Sequence, residues 1–203
     1  MKSYNCELIG RVVSVEENPE GCEFYLNVKR SQDKEDLIPV TVSNEILGDR
    51  TLEPEKDVRI LGIIRTYKMK GTYKSRLRVE ATTLDILDEE VRHKNTVFGR
   101  FGVKMSKSIR HTKTGCMVKD VVLRQEIPIE NGVSEFRAIL WNKDAEMFDN
   151  ITDCTQLYII GRLQSREYLK KTDDGNSIKV RTYEVSVGKV EDDTDKYAEE
   201  VSS

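Results

Sequence analysis

The chain has 203 residues, 37% of them hydrophobic and 34% charged, with a formal net charge of -3. That suits one or two soluble domains, and the longest apolar run, residues 60–64, is far below the roughly 20 residues of a membrane helix. Lys2, Asn5, Glu7 and Arg11 break the first turns of chain, so we expect no signal peptide, no membrane partner and a cytoplasmic location.

Along the chain, alternation of apolar with polar side chains predicts strands at residues 8–15, 24–30, 37–42, 58–65 and 76–86, with a short helical gap at 44–49. A second set follows at residues 97–105, 116–124, 135–141, 156–165 and 177–187, with a turn of helix at 143–148 after its third strand.

The second set repeats the first. Leu8-Ile9-Gly10-Arg11 matches Val97-Phe98-Gly99-Arg100, Gly21-Cys22 matches Gly115-Cys116, and Arg30 falls with Arg124. Ile38 to Asn44 then matches Phe136 to Asn142, Ile60-Leu61-Gly62 matches Ile159-Ile160-Gly161, and Leu77-Arg78-Val79 matches Ile178-Lys179-Val180. The offset only grows, as duplication with loop insertions predicts. We therefore expect domains at 1–90 and 91–190, and a disordered acidic tail at 191–203.

In the last strand of the first set, Leu77, Val79 and Ala81 share one phase while Leu84 and Ile86 take the other. Ile178 and Val180 against Val185 and Val187 suggest the same slip in the second set. One extra residue, a β-bulge, reverses the phase and bends a strand. The expected fold is thus all-β: two tandem OB-folds, each a five-stranded Greek-key barrel with a short helix after strand 3.

Charge is unevenly spread. Residues 1–90 carry 14 basic and 18 acidic side chains, residues 91–190 carry 18 and 12, and residues 191–203 carry 1 and 6. A field acts locally, so the basic middle segment points to a polyanion despite the net charge. The run from Arg65 to Arg78 holds Arg65, Lys68, Lys70, Lys74, Arg76 and Arg78 with Tyr67 and Tyr73 and no acid. Between strands 1 and 2 of the second set stand Lys104, Lys107, Arg110, His111 and Lys113, again without an acid. Cations follow phosphates while aromatic faces stack on unpaired bases.

The run from Phe136 to Glu146, followed by Gly161-Arg162-Leu163-Gln164-Ser165-Arg166-Glu167-Tyr168, resembles the third and fourth strands of bacterial single-stranded DNA-binding proteins. Residues 24–30 are similar to that family's second strand and Ile9-Gly10-Arg11 to its first. The resemblance implies stacking by Trp141 and Tyr168, with Arg100, Arg124, Arg162 and Arg166 on phosphates; Arg11, Arg30 and Phe136 fall in the matched runs and join the set. It further implies sequence-independent binding of single-stranded DNA in replication, recombination or repair, in the bacterial cytosol or nucleoid. Family members commonly present four OB domains, which for this chain implies a homodimer. The alternative is an adaptor of a replication or primosome assembly, or an RNA-binding module.

No enzyme or cofactor is expected. Cys6, Cys22, Cys116 and Cys154 form no C-x-x-C pair, and His93 and His111 are the only histidines, which reads as free thiols without a zinc site. Asp173-Asp174 and Asp192-Asp193 lie in an expected hairpin and tail rather than on converging elements, and no G-x-x-x-x-G-K-[ST] loop occurs.

Overall fold

A computed structural model describes residues 4–68, 75–127, 132–151, 155–172 and 174–192. Among the described residues are eleven strands and two short helices: β1 (Cys6–Asn18), β2 (Gly21–Ser31), β3 (Lys34–Ser43), α1 (Asn44–Leu47), β4 (Asp57–Lys68), β5 (Ser75–Leu87), β6 (Lys94–Ser106), β7 (Arg110–His111), β8 (Met117–Ile127), β9 (Gly132–Trp141), α2 (Asn142–Met147), β10 (Gln156–Lys171) and β11 (Ser177–Asp192).

Strand pairing closes two five-stranded barrels in the OB order. In the first, β1 pairs with β2 and β4, β2 with β3, β3 in parallel with β5, and β5 with β4. In the second, β6 pairs with β8 and β10, β8 with β9, β9 in parallel with β11, and β11 with β10. The period of two decides what lies inside: Cys6, Leu8 and Val12 of β1 are buried while Glu7, Ile9 and Arg11 alternate with them on the outer side. Both closing strands bend through bulges, at Val12/Ser14 in β1 and Val103/Met105 in β6.

The barrels are fused along one ladder. Cys6 to Ile9 of β1 pair with Lys94 to Val97 of β6, so the strands form a single sheet, and the buried apolar side chains form one contiguous cluster. Outside this ladder, β5-β4-β1-β6-β10-β11 present a continuous outer face. Ile9, Leu61, Phe98, Tyr158 and the exposed Ile160 lie on it in register, with Tyr4 edge-on to Phe98 at 5.6 Å between ring centroids.

Two sequence expectations are corrected. The slip in the first barrel falls where expected, Thr82 being the extra residue opposite Leu61/Gly62. In the second it falls later, at Gly188 opposite Ile160/Gly161, because pairing from Arg162↔Ser186 to Lys171↔Ser177 is unbroken. Val185, which pairs with Ala138, is therefore the counterpart of Val79, which pairs with Val40, and the match of residues 77–79 to 178–180 does not hold in the structure, where Ile178 and Val180 lie farther out on the β10–β11 ribbon. The tail boundary also moves, since Glu191 and Asp192 pair with Tyr158 and Leu157 in β11. Cys154, Asp173 and the expected tail from 193 onward lie outside the described residues.

Candidate nucleic-acid interface

On the second barrel the outward phase of β9 runs Arg137, Ile139, Trp141. Cross-strand register places Asp120 of β8 opposite Ile139, and Ser186 of β11 beside it, while Glu184 follows Ser186 on the same phase. On β10, Arg166 and Tyr168 stand opposite Thr182 and Val180, again on this face. Trp141, Arg137, Arg166 and Tyr168 thus share one outer surface, with Arg110 of β7 at its edge opposite Val118.

Trp141 is half-buried and its indole Nε1 donates to Ser186 Oγ at 3.0 Å, which fixes the ring on the strand. Tyr168 is 50% exposed. Arg110 binds Asp120 through two hydrogen bonds, at 2.7 and 3.2 Å, and Arg166 Nε is 2.6 Å from Glu184 Oε1. The Arg110 hydrogen bond holds the Asp120 carboxyl below its ordinary pKa, whereas burial pushes Glu184 up despite Arg166. The exposed Arg110–Asp120 pair is worth about 0–1 kcal/mol, so an incoming phosphate can compete for Arg110; Glu184 is more enclosed, while about half of the Arg166 side chain stays in water. Among the described residues Arg137, Arg162, Arg124 and Lys107 have no ion-pair partner, and Arg162, Arg124, Arg137 and Lys107 are exposed.

The first barrel offers a related but more self-paired face. Arg78 lies 4.3 Å above the Tyr67 ring and binds Glu23 at 3.0 Å; Arg65 faces Glu80 at 3.4 Å; Arg76 pairs across the ladder with Tyr67 and is exposed. The Lys68 side chain, Lys70, Tyr73 and Lys74 lie outside the described residues.

Other expected site residues have structural work. Phe136 is 3% exposed and packs edge-on against Phe101 at 5.4 Å, so it is core and not a stacking surface. Its neighbour Arg137, one pleat step away, is the outward residue that the sequence reading passed over; the alternation with Trp141 was the available signal. Arg30 is turned to the barrel junction, 3.1 Å from the buried Asp36 and hydrogen-bonded to Gln164 of β10. Arg11 is held by Asp57 at 2.9 Å, and Lys104 by Glu135 at 2.6 Å. Arg100, opposite Tyr158, lies on the outer face of the fused sheet rather than beside Trp141.

Beyond the sequence-selected set, Tyr25 is outward between the buried Phe24 and Leu26, and Arg181 of β11 stands 5.8 Å from its ring centroid. Their proximity depends on how the barrels meet. Past Gly161, β10 no longer pairs with β6, and its open edge lies against β3. There Ser165 N donates to Asp36 Oδ1 at 2.8 Å and Leu37 N donates to Ser165 Oγ at 3.0 Å.

No protein-family model matches the chain, and no curated protein matches it in sequence. In structure it is similar to the wild-type single-stranded DNA binding protein from Thermus aquaticus, with a TM-score of 0.68 and 20% identity over 94% of this chain and 92% of that one. A deletion mutant of the same protein gives 0.69, 20%, 94% and 94%. The N-terminal domain of PriB protein from Thermoanaerobacter tencongensis aligns at 28% identity over 42% of this chain and 98% of its own, with a TM-score of 0.36. The chain therefore shares the whole two-barrel fold of the Thermus aquaticus protein.

Proposed function

We propose that this protein binds single-stranded DNA without strong sequence preference and without catalysis, in replication, recombination or repair. The observation that carries the reading is the outer face of the second barrel, where Trp141 and Tyr168 share one surface with the cations Arg110, Arg137 and Arg166. Stacking surfaces between phosphate-reaching side chains suit a flexible strand whose bases are unpaired. A duplex hides those base faces. The shared fold with a single-stranded DNA binding protein supports the same reading.

The test is quenching of Trp141, the only tryptophan, by oligo-dT, oligo-U and duplex of equal length at two salt concentrations. We expect strong quenching by oligo-dT, weak response to duplex, and log K falling with log salt by about 0.7 per neutralised phosphate. Preference for oligo-U would turn the reading to RNA, and absence of binding to all three would turn it to a protein adaptor.

We also propose that each barrel is a domain, 1–90 and 91–190, and that the chain pairs with a second copy through the outer face of the fused sheet. Ile9, Leu61, Phe98, Tyr158 and Ile160 supply apolar surface there, with the ion pairs of Glu7 to Arg59 and Lys94 set among them. Apolar side chains interleaved with internally paired charges leave little net charge to oppose self-association. Sedimentation equilibrium should give twice the chain mass, and Phe98→Lys with Ile160→Lys should reduce it to one chain; a monomeric wild type would refute this.

A further inference from the structure

The β10–β11 ribbon reaches from the second barrel to the outer face of the first. Arg30, Asp36 and Leu37 hold its near end through Gln164 and Ser165. Opposite Ser165 stands Tyr183, and Arg181 is on the same phase two residues earlier. This phase faces Tyr25: the Arg181 guanidinium is 5.8 Å from the Tyr25 ring centroid. The Tyr183 phenol is pushed up to about 12, first by burial and next by Tyr25, and Arg76 of β5 acts on it as well. Tyr25 of one barrel and Arg181 and Tyr183 of the other therefore meet, and Arg76 lies on the same outer face of the first barrel as Tyr25.

We infer that this junction is a base-binding site shared by the two barrels, over which a single strand passes from the first barrel to the second, stacking on Tyr25 and placing phosphates on Arg76 and Arg181. The inference rests on the single-strand reading above and adds a location that neither barrel has alone. Tyr25 is 39% exposed although Phe24 and Leu26 beside it are fully packed, so its ring is not needed to fill the core. Tyr67, with Arg78 above it, lies farther along the same outer face, opposite Arg76. The path thus has an aromatic on each side of Arg76. Arg76 has no ion-pair partner among the described residues, while Arg181 shares Glu167 with Lys179, so Lys179 can keep that carboxylate when Arg181 turns to a phosphate.

The experiment has two arms, both on the full chain. Photocrosslinking with oligo-dT carrying 5-bromodeoxyuridine, followed by mass spectrometry, should place crosslinks on peptides containing Tyr25 or Tyr183; crosslinks confined to the Trp141 and Tyr168 peptides would overturn the junction site. In titrations, Tyr25→Leu should weaken oligo-dT binding by about 5- to 150-fold, the range for one stacking aromatic, while Tyr25→Phe stays within about twofold of wild type. Unchanged affinity in Tyr25→Leu with a clear loss in Trp141→Ala overturns the junction alone. A wild-type chain that binds no single strand overturns both readings.

Discussion

Replacing Asp36 should separate the two barrels energetically. Asp36 is buried, its Oδ1 accepts from Ser165 N at 2.8 Å, and its Oδ2 lies 3.1 Å from Arg30 Nε. The second contact is close but poorly aligned for a hydrogen bond, so it acts through charge. Removing one member of a buried pair costs about 3–5 kcal/mol when the survivor is left desolvated. Arg30 keeps 23% of its side-chain surface in water, which relieves part of that, and Ser165 N loses its acceptor. We expect Asp36→Ala to cost about 3 kcal/mol. Asp36→Asn keeps an acceptor for Ser165 N and removes a charge whose burial already pushes the carboxyl pKa up; it should cost about 1 kcal/mol. Urea denaturation followed by Trp141 fluorescence, which reports the second barrel only, and by far-ultraviolet circular dichroism gives both stability and coupling. Coincident transitions in the wild type should become separate in Asp36→Ala. Equal effects of Ala and Asn, each below about 1 kcal/mol, would refute the clamp.

Further outcomes follow from single positions. A methyl group on Gly161 would stand 2.6 Å from the Ser186 carbonyl oxygen and 3.1 Å from Val187 Cα, so Gly161→Ala should cost about 2 kcal/mol in urea denaturation. Gly188→Ala in the same bulge meets nothing nearer than 3.6 Å and should stay within about 0.5 kcal/mol; equal costs would disprove the register. Phe136→Leu should lower stability by about 1–2 kcal/mol with the salt slope of DNA binding unchanged, whereas Arg137→Gln should lower the slope by about 0.7 with stability unchanged. Tyr183, raised from 10.0 to about 12, favours the fold in its protonated form: its stabilisation is complete below pH 10.0 and is lost as pH rises through about 12. Tyr183→Phe should therefore remove a transition near pH 12 from an alkaline absorbance titration. Glu7 is held below its ordinary 4.5 chiefly by the Lys94 hydrogen bond and then by Arg59, so its contribution is present above pH 4.5 and lost below. Glu7→Gln should flatten the acid limb of the thermal stability curve; an unchanged limb would count against this link between β1, β4 and β6.

What could be read from the sequence was what depends on neighbours along the chain. The alternation of Leu8, Gly10 and Val12 against Glu7, Ile9 and Arg11 gave the inner and outer faces of β1 without any tertiary information. The order of five strands and a short helix, twice over, followed from the same signal, and Thr82 fell where the phase of Leu77 and Val79 gives way to that of Leu84. The errors have a common cause. Ile178 and Val180 alternate like a barrel strand, but they sit on the outer phase of a ribbon beyond the closed barrel, where Ile178 is 47% exposed. Periodicity reports a strand's two faces and is silent on which of them the core covers. Arg30 joins the expected set because it lies in a matched run, and a match along the chain does not show that its side chain meets the second barrel and not solvent. Phe136 joins the set in the same way, from the matched run, although Trp141, an odd number of residues on, gives the outer face to Arg137 by alternation.

The β10–β11 ribbon is also where the two barrels meet outside the β1–β6 ladder. A barrel that closes on itself needs β10 and β11 only as far as the pairing of β11 with β9, at Val185 and Ser186. Ladder pairs from Ser165↔Tyr183 to Lys171↔Ser177 lie beyond that point and add nothing to the second barrel's closure. An open strand edge invites pairing with other chains unless something covers it. Here β3 covers it, and the cover is polar: Asp36 and Leu37 meet the backbone and side chain of Ser165 rather than an apolar surface. A polar seam costs little to hydrate at its margin, so the ribbon's outer turns can stay in water, and Leu169 and Tyr168 remain exposed. The first repeat answers with the same kind of seam: Thr66 of β4 donates its backbone N–H to Ser134 Oγ at 3.2 Å and its hydroxyl accepts from Glu135 N at 3.0 Å. What sets the β10–β3 side apart is the buried carboxylate of Asp36, and the ribbon there brings Arg181 and Tyr183 to the outer face of a first barrel whose Arg78 and Arg65 pair with Glu23 and Glu80. On this reading the first barrel contributes to binding chiefly where the second reaches it.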